Sequence, residues 1–214
     1  MSKIIVNPIY EKIIDDLSNQ KYSISDFFFS AEETKQLREA IILKEDKKDF
    51  HQAAIGSSVN EQIVKSIRGD KIRWIDEENK TETEEFFFSK INDFIEYLNL
   101  TCYIGIEESE FHYAVYPEGT FYQRHVDAFK NDDRRTLSMV LYLNEEEWKD
   151  DFGGQLTLYL DENGIEKELD ILPLAGRLAV FDSKTIPHEV KTVNRPRYSI
   201  TGWLKTRGNI LTYL

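Results

Sequence analysis

Two histidines and one aspartate in this chain have the types and the order that hold a redox-active metal. His125 and Asp127 are two residues apart, and His188 follows sixty-three residues after His125. In a strand, residues i and i+2 point to the same face, so His125 and Asp127 would reach one ion from a single rigid element. Two imidazoles and one carboxylate form the facial triad that binds non-haem Fe(II) and leaves coordination positions open. We therefore predict His125, Asp127 and His188 as metal ligands and catalytic residues.

A fixed cation follows the third of these residues. Arg197 stands nine residues past His188, and its paired N–H groups suit the binding of a carboxylate. On one continuous strand this odd separation would turn Arg197 away from His188, but the intervening residues 194–196 are typical of a turn that resets the register. Tyr142 is in position to donate its hydroxyl to the same carboxylate. One face of the returning strand is predicted to carry Arg197, Ser199, Thr201 and Trp203.

The other two histidines are not predicted ligands. His112 alternates with apolar residues in a candidate strand, so it is either structural or a neighbour of the pocket. His51 lies in a polar segment without an evident partner. A purely structural role for His125 and His188 is the alternative to a metal site, and the presence of Arg197 weighs against it.

The composition indicates a folded protein that binds neither nucleic acid nor membrane. The formal net charge of −12 opposes broad contact with phosphates or anionic lipid, since both require a clustered basic surface. A membrane span needs about 18 consecutive apolar residues, and no apolar stretch in this chain approaches that length. A single cysteine, Cys102, fits a reducing compartment, and no secretory signal is evident. We predict a cytoplasmic protein and leave its oligomeric state open.

Hydrophobic periodicity predicts an α+β fold in one domain, residues 1–214. Helices are predicted at 9–17, from the capping box at Ser30 toward Ile42, and at 81–98. Residues 1–100 would form a helix-rich support region, and residues 101–207 the core. Eight strands with short spacings favour a double-stranded β-helix, or jelly roll, with the helices packed on one face. The predicted strands are 111–116, 122–126, 136–143, 155–159, 168–172, 177–181, 188–193 and 198–203.

Several of these motifs resemble the 2-oxoglutarate-dependent prolyl 4-hydroxylases, within the 2-oxoglutarate/Fe(II)-dependent dioxygenase superfamily. The resemblance is strongest to the branch with the oxygen-sensing hydroxylases of hypoxia-inducible factor, and it covers roughly residues 60–205. It is carried by His125-Val-Asp127, Tyr142-Leu-Asn144, Gly153-Gly-Gln-Leu156, and His188-Glu-Val with Arg197-Tyr-Ser-Ile-Thr-Gly-Trp203. Separate support comes from Ile67-Arg-Gly-Asp-Lys-Ile-Arg-Trp-Ile75, which is similar to a segment of that branch.

The resemblance assigns roles to individual positions. It implies Fe(II) at His125, Asp127 and His188. Arg197 would pair with the distal carboxylate of 2-oxoglutarate, helped by Tyr142 and Thr201, with Tyr116 as a further pocket tyrosine. Substrate contacts would come from Trp203 and from Arg134 or Arg135, between which the sequence does not decide. Residues 70–83 would form a mobile loop that closes over the substrate.

The implied activity is that of an oxidoreductase. It would hydroxylate a prolyl residue in a protein or peptide with O2 and 2-oxoglutarate, releasing succinate and CO2, with ascorbate as a further candidate cofactor. Two alternatives stay open: the same chemistry on a free amino acid or small metabolite, and a non-catalytic metal-binding jelly roll used as a sensor or interaction module. The complete ligand set together with Tyr142 and Arg197 argues against the second alternative.

Overall fold

The computed structural model describes residues 5–47, 49–53, 67–128, 134–145 and 147–207. The helices in these ranges are α1 (Pro8–Gln20), α2 (Ala31–Asp46) and α3 (Glu82–Cys102). The strands before residue 107 are β1 (Tyr22–Ser25), β2 (His51–Gln52), β3 (Lys71–Trp74) and β4 (Ile106–Tyr116). The later strands are β5 (Tyr122–His125), β6 (Arg135–Tyr142), β7 (Leu156–Glu162), β8 (Ile165–Ile171), β9 (Leu178–Asp182), β10 (His188–Val190) and β11 (Arg197–Thr206).

Side-chain caps set where the three described helices begin. The Asn7 side chain accepts hydrogen bonds from the first backbone N–H groups of α1. Capping boxes start the other two helices, Ser30 with Glu33 at α2 and Thr81 with Glu84 at α3. Each box pairs two backbone N–H groups that the helix itself leaves without acceptors. The three predicted helices are therefore confirmed, although each extends beyond the predicted range.

The described strands form two antiparallel sheets, and the predicted α+β jelly roll is confirmed. The larger sheet has the order β1-β9-β6-β11-β4-β3-β2, and the smaller sheet has the order β5-β10-β7-β8. One hydrophobic cluster joins the inner faces of the two sheets and includes Tyr116, Tyr142, Leu158 and Val190. A second cluster packs the helices against the outer face of the larger sheet and includes Ile13, Leu37, Phe94, Phe111 and Leu204.

All eight predicted strands are present as β4 to β11, but β1 to β3 were not predicted. These three are short, and they owe their extended form to pairing: β1 lies along β9, and β3 lies along β4. The prediction of a loop over residues 70–83 is wrong in its first part, because β3 covers Lys71–Trp74. β1 to β3 belong to the larger sheet, so the predicted boundary between a support region (residues 1–100) and a core (residues 101–207) does not separate two layers of the fold. That boundary stays a prediction. No helix in the described ranges has the length and apolar character needed to cross a membrane.

Candidate active site

The three predicted ligands come together where β5 and β10 meet. His125 ends β5 and pairs in register with His188, the first residue of β10. Nε2 of His125 lies 3.5 Å from one carboxylate oxygen of Asp127, and Nε2 of His188 lies 3.5 Å from the other. One ligand atom from each residue falls within 4.8 Å of the others. The three side chains thus point their donor atoms at one shared position.

The sequence pattern predicted that Asp127 would reach this position from the strand, but it does not. β5 ends at His125, and Asp127 lies in the bend that follows. The bend is held because Ala128 N donates to the carbonyl of Ser183 at 3.0 Å, which ties this part of the chain to the end of β9. The carboxylate is therefore placed by tertiary contacts rather than by strand alternation.

Backbone carbonyls fix the orientation of both imidazole rings. Nδ1 of His125 lies 2.8 Å from the carbonyl oxygen of Gln123, and Nδ1 of His188 lies 3.1 Å from that of Ile186. A carbonyl only accepts, so each Nδ1 carries the proton and each Nε2 keeps its lone pair for a metal. Such outer contacts set ring orientation and tautomer in metal sites.

The protonation states also suit a divalent cation. Burial by itself would raise the pKa of Asp127, but the imidazoles of His188 and His125 and the hydroxyl of Ser138 outweigh it and hold that pKa well below its usual range. The Ser138 hydroxyl donates to the carboxylate at 2.6 Å. Burial lowers the pKa of His188 to about 4. At neutral pH the site therefore offers one carboxylate and, at His188, a neutral imidazole.

Arg197 occupies a buried position between two tyrosine rings. It opens β11 in the larger sheet, whereas His188 lies in the smaller sheet, so the two residues come from opposite layers. The guanidinium carbon lies 4.9 Å from the ring centres of both Tyr116 and Tyr142. Arg197 is 1% exposed, and its NH1 donates to the Ser199 hydroxyl at 3.5 Å. Burying a guanidinium without a counter-charge is costly, which favours an anionic ligand here.

Two polar atoms, one in the guanidinium of Arg197 and one on the neighbouring Tyr142, are suited to such a ligand. Among the described residues, the Arg197 Nε atom and the Tyr142 hydroxyl are buried without a hydrogen-bond partner. Burial raises the pKa of Tyr142, so its hydroxyl stays protonated and able to donate. The predicted Thr201 lies further along β11, with its hydroxyl 3.4 Å from that of Ser199. A carboxylate is the ligand that these donors fit.

The predicted substrate residues lie beside an aromatic cluster. Trp203 packs near His112 and Trp74, with ring centres 5.6 and 6.3 Å away. The guanidinium carbon of Arg135 lies 3.5 Å from the Trp203 ring centre, and its NH1 donates to the Asp127 carbonyl at 3.2 Å. Arg134 instead forms an ion pair with Glu108 at 3.5 Å. Of the two arginines, Arg135 is the one that contacts both Trp203 and the Asp127 backbone.

Four residues around the centre were not predicted from the sequence. Ser138 had a detectable signal, because it lies four residues before Tyr142 and shares its strand face. Tyr122 stacks on His125, but nothing in sequence spacing indicates a ring contact. Arg68 and Asp70 lie in the segment similar to the hydroxylase branch, and they form a buried ion pair at 2.6 Å. Arg68 is connected to His125 through the ring of Tyr122.

Comparison with known proteins places this geometry in a family. Residues 111–205 match the 2OG-Fe(II) oxygenase superfamily. The chain is 36% identical to a prolyl-4-hydroxylase from Pseudomonas putida, covering 94% of this chain and 100% of that one, with a TM-score of 0.83. The chain belongs to the 2OG-Fe(II) oxygenase superfamily. Within this oxygenase, the triad fits Fe(II), and Arg197 with Tyr142 fits the far carboxylate of 2-oxoglutarate.

Two further relatives support the prolyl hydroxylase branch. Egl nine homolog 1 of Homo sapiens is 32% identical over 198 residues, which cover 90% of this chain and 46% of the human protein. A prolyl hydroxylase from Trichoplax adhaerens, solved with a hypoxia-inducible-factor peptide fragment, is 29% identical with a TM-score of 0.82. That match covers 92% of this chain and 88% of the other. The oxygenase thus spans about half the length of its human relative.

Proposed function

We propose that this oxygenase hydroxylates a prolyl residue in a protein or peptide, consuming 2-oxoglutarate and O2 and releasing succinate and CO2. The observation that carries the proposal is the buried Arg197 beside Tyr142, on the larger sheet of the jelly roll whose smaller sheet carries His125 and His188. A metal-binding module without turnover has no use for a second, carboxylate-binding position. The similarity to prolyl hydroxylases over more than nine-tenths of the chain supports proline as the target.

His125, Asp127 and His188 would hold the metal, each through one ligand atom. Bound Fe(II) supplies open coordination positions for 2-oxoglutarate and O2 and the redox chemistry that oxidises a C–H bond. Ser138 holds the carboxylate of Asp127 in its orientation, as the 2.6 Å hydrogen bond supports. Asp127 and His188 are buried, and a site with little water strengthens the electrostatic interactions within it.

Arg197 would bind and orient the far carboxylate of 2-oxoglutarate. Its guanidinium and the Tyr142 hydroxyl donate, and the Tyr116 ring forms the opposite wall at 4.9 Å. Thr201 extends this polar row toward the aromatic cluster. Charge-assisted hydrogen bonds in a buried site are among the strongest available to a protein, so this contact fixes the orientation of the co-substrate.

A peptide substrate is proposed to lie along Trp203 and Arg135. A proline ring is apolar and packs well against an indole face. Arg135 has its Glu110 partner at 2.8 Å, and it is proposed to contact the peptide backbone from the edge of Trp203. Arg134, paired with Glu108, is the weaker candidate for this contact. The exposed face of Trp74 extends the same aromatic surface, since 42% of that residue is accessible.

We further propose a cytoplasmic location, ascorbate as an external reductant, and a single domain with its catalytic core in residues 101–207. The free cysteine, Cys102, supports a reducing compartment. Omitting and restoring ascorbate during repeated turnover tests the proposal that ascorbate is the external reductant. If the yield of succinate per enzyme does not change, that proposal is wrong.

The first test is an anaerobic titration of Fe(II) and 2-oxoglutarate, followed by visible charge-transfer absorption. We expect a band that His125→Ala abolishes. A metal that binds without producing the band would favour the non-catalytic module instead.

The second test examines the target. A peptide library is incubated with enzyme, and each proline peptide is paired with its Pro→Ala counterpart. We expect a mass gain of one oxygen only in proline peptides, coupled to succinate. Succinate formation with free amino acids but with no peptide would favour the small-metabolite alternative.

A further inference from the structure

The strand that carries His125 is held on both edges. On one side, β5 pairs with β10. On the other side, residues 67–69 lie antiparallel to it: Gln123 N donates to the Ile67 carbonyl at 2.8 Å, and Gly69 N donates to the Phe121 carbonyl at 2.9 Å. Gly69 fits closely, because a β-carbon there would lie 2.6 Å from Cβ of Thr120. This pairing brings Arg68 opposite Tyr122.

Three planar side chains form a continuous stack across this pairing. The rings of Tyr122 and His125 are nearly parallel, with centres 3.7 Å apart and planes 19° apart. The guanidinium carbon of Arg68 lies 4.3 Å from the centre of the Tyr122 ring. Arg68 therefore contacts the tyrosine, and the tyrosine covers the imidazole of a predicted ligand.

The outer end of the stack is anchored by a buried carboxylate. Nε and NH2 of Arg68 donate to the two oxygens of Asp70 at 2.8 and 2.6 Å. Asp70 is fully buried. Although burial alone would lower it, the hydrogen bonds and charge of Asp70 raise the pKa of Arg68, so the guanidinium stays charged. A two-point ion pair fixes both the position and the plane of the guanidinium.

Apart from the stack, the ring of His125 contacts the other histidine ligand, His188, with ring centres 4.3 Å apart, and it is the less enclosed of the two. His125 lies at the end of a four-residue strand and has a side-chain exposure of 20%, against 6% for His188. Its Nδ1 contact is to Gln123, on the same short strand. His188 lies on an inner strand between β5 and β7 and packs against Phe181 at 4.7 Å. The exposed ligand is thus the one that the stack covers.

We propose that Arg68 and Tyr122 are positioning residues, which hold the imidazole of His125 in the orientation that binds the metal. This rests on the proposed metal centre and assigns a role to residues 67–70 that neither the ligand triad nor the 2-oxoglutarate contacts include. The stack acts on the ring itself, so its loss loosens the ligand while the strand pairing remains. Contacts of this outer kind typically change metal affinity by ~10–100-fold.

The test measures the affinity of the full chain for Mn(II), a probe that binds such triads, by electron paramagnetic resonance without 2-oxoglutarate or peptide. Tyr122→Leu and Arg68→Gln are expected to weaken Mn(II) binding by ~10–100-fold. Tyr122→Phe keeps the ring and should retain affinity within about twofold of the unsubstituted protein, since the stack needs the ring rather than the hydroxyl. Thermal unfolding of the metal-free proteins reports whether each variant folds.

Arg124→Gln is the matched control. Arg124 lies on the same strand, and its side chain contacts the neighbouring strands rather than the stack: it makes a two-point ion pair with Glu166 and packs 3.8 Å over the ring of Tyr159. Its Mn(II) affinity should be unchanged. If Arg68→Gln fails to fold because Asp70 is left buried and unpaired, the double variant Arg68→Gln/Asp70→Asn removes both charges together and is measured in its place.

Each outcome decides the proposal. Unchanged affinity in a folded Tyr122→Leu protein overturns the positioning role, and so does equal weakening by Tyr122→Phe or by Arg124→Gln. Weakening confined to the stack variants supports it. Failure of the unsubstituted protein to bind Mn(II) would overturn the metal centre itself, and with it the proposed function. Normal Mn(II) binding in every variant is a different result, because it would overturn the positioning role alone.

Discussion

Gly154 lies directly against the side chain of Arg197. A β-carbon at Gly154 would stand 2.9 Å from Cδ of Arg197 and 2.8 Å from Cγ1 of Val193. The backbone of Gly154 also has a φ of +71°, which side chains with a β-carbon rarely adopt. The loop before β7 can therefore pack on the stem of the arginine only because it carries a glycine here.

Gly154→Ala is expected to displace the stem of Arg197 and raise the KM for 2-oxoglutarate, on the order of tenfold, because a misplaced donor loses part of a charge-assisted contact. Steady-state kinetics with 2-oxoglutarate varied measures this. Gly164→Ala is the control, since Gly164 has a similar φ of +81° but its added β-carbon would meet nothing within 4 Å. If KM rises equally in both variants, backbone strain, and not the contact with Arg197, causes the rise.

Arg197→Ala should weaken the binding of 2-oxoglutarate by ~10–150-fold, because one charge-assisted carboxylate contact is worth ~1.5–3 kcal/mol. The Fe(II) affinity should change little, since the two histidine ligands lie in the other sheet and Arg197 is not one of the three ligands. Isothermal titration with 2-oxoglutarate under anaerobic conditions gives the constant. An Arg197→Ala enzyme with the original dependence on 2-oxoglutarate would rule out this assignment.

His188→Ala should abolish both the charge-transfer band and the formation of succinate, as should His125→Ala. Each substitution removes one of three ligand atoms that lie within 4.8 Å of one another. Absorption and succinate assays on the same preparations check the two losses together. Persistent succinate formation from either variant would mean that the metal lies elsewhere.

Ser138→Ala should weaken metal binding by ~10–100-fold, because the carboxylate of Asp127 loses the hydroxyl that orients it. Ser23→Ala is a matched control: Ser23 is also buried, at 1% exposure, and donates to an aspartate, Asp16, at 2.6 Å. Each variant loses the hydrogen bond of a buried serine to an aspartate, worth about 1 kcal/mol of stability, and Ser138→Ala also loses the contact with the Ser183 hydroxyl at 2.8 Å. Mn(II) titration should distinguish them, and identical affinities would deny Ser138 any role at the metal.

The buried His112 should make the metal-free protein sensitive to acid. Burial lowers the pKa of His112 from 6.5 to about 3, so between these values the unfolded chain binds a proton that the folded chain does not. The free energy of unfolding then falls as pH drops, by about 1.4 kcal/mol per pH unit for this one proton. Urea unfolding of His112→Phe over that pH range should show a shallower decline than the unsubstituted protein. Parallel declines would contradict the assignment.

Much of the fold could be predicted because its signals are local. The capping boxes at Ser30 and Thr81 mark the starts of helices, and short apolar runs separated by Gly, Asn and Asp mark the eight later strands. β1 and β3 have no such signal: they are short, and their extended form depends on partners far away in the chain. The contact of Arg68 with Tyr122 had no local signal either, because it depends on the pairing of residues 67–69 with β5.

The sequence by itself singled out the residues that we propose to bear the chemistry. Ligand chemistry restricts the donors to a few residue types, so two histidines, one aspartate and one arginine stand out by type and spacing alone. Only the tertiary structure decided how they meet. Asp127 lies in a bend, where Ser138 orients it. His188 and Arg197 come from opposite sheets. Of the two neighbouring arginines, Arg135 rather than Arg134 reaches Trp203. These relationships depend on how two sheets pack face to face, and no local pattern along the chain encodes that packing.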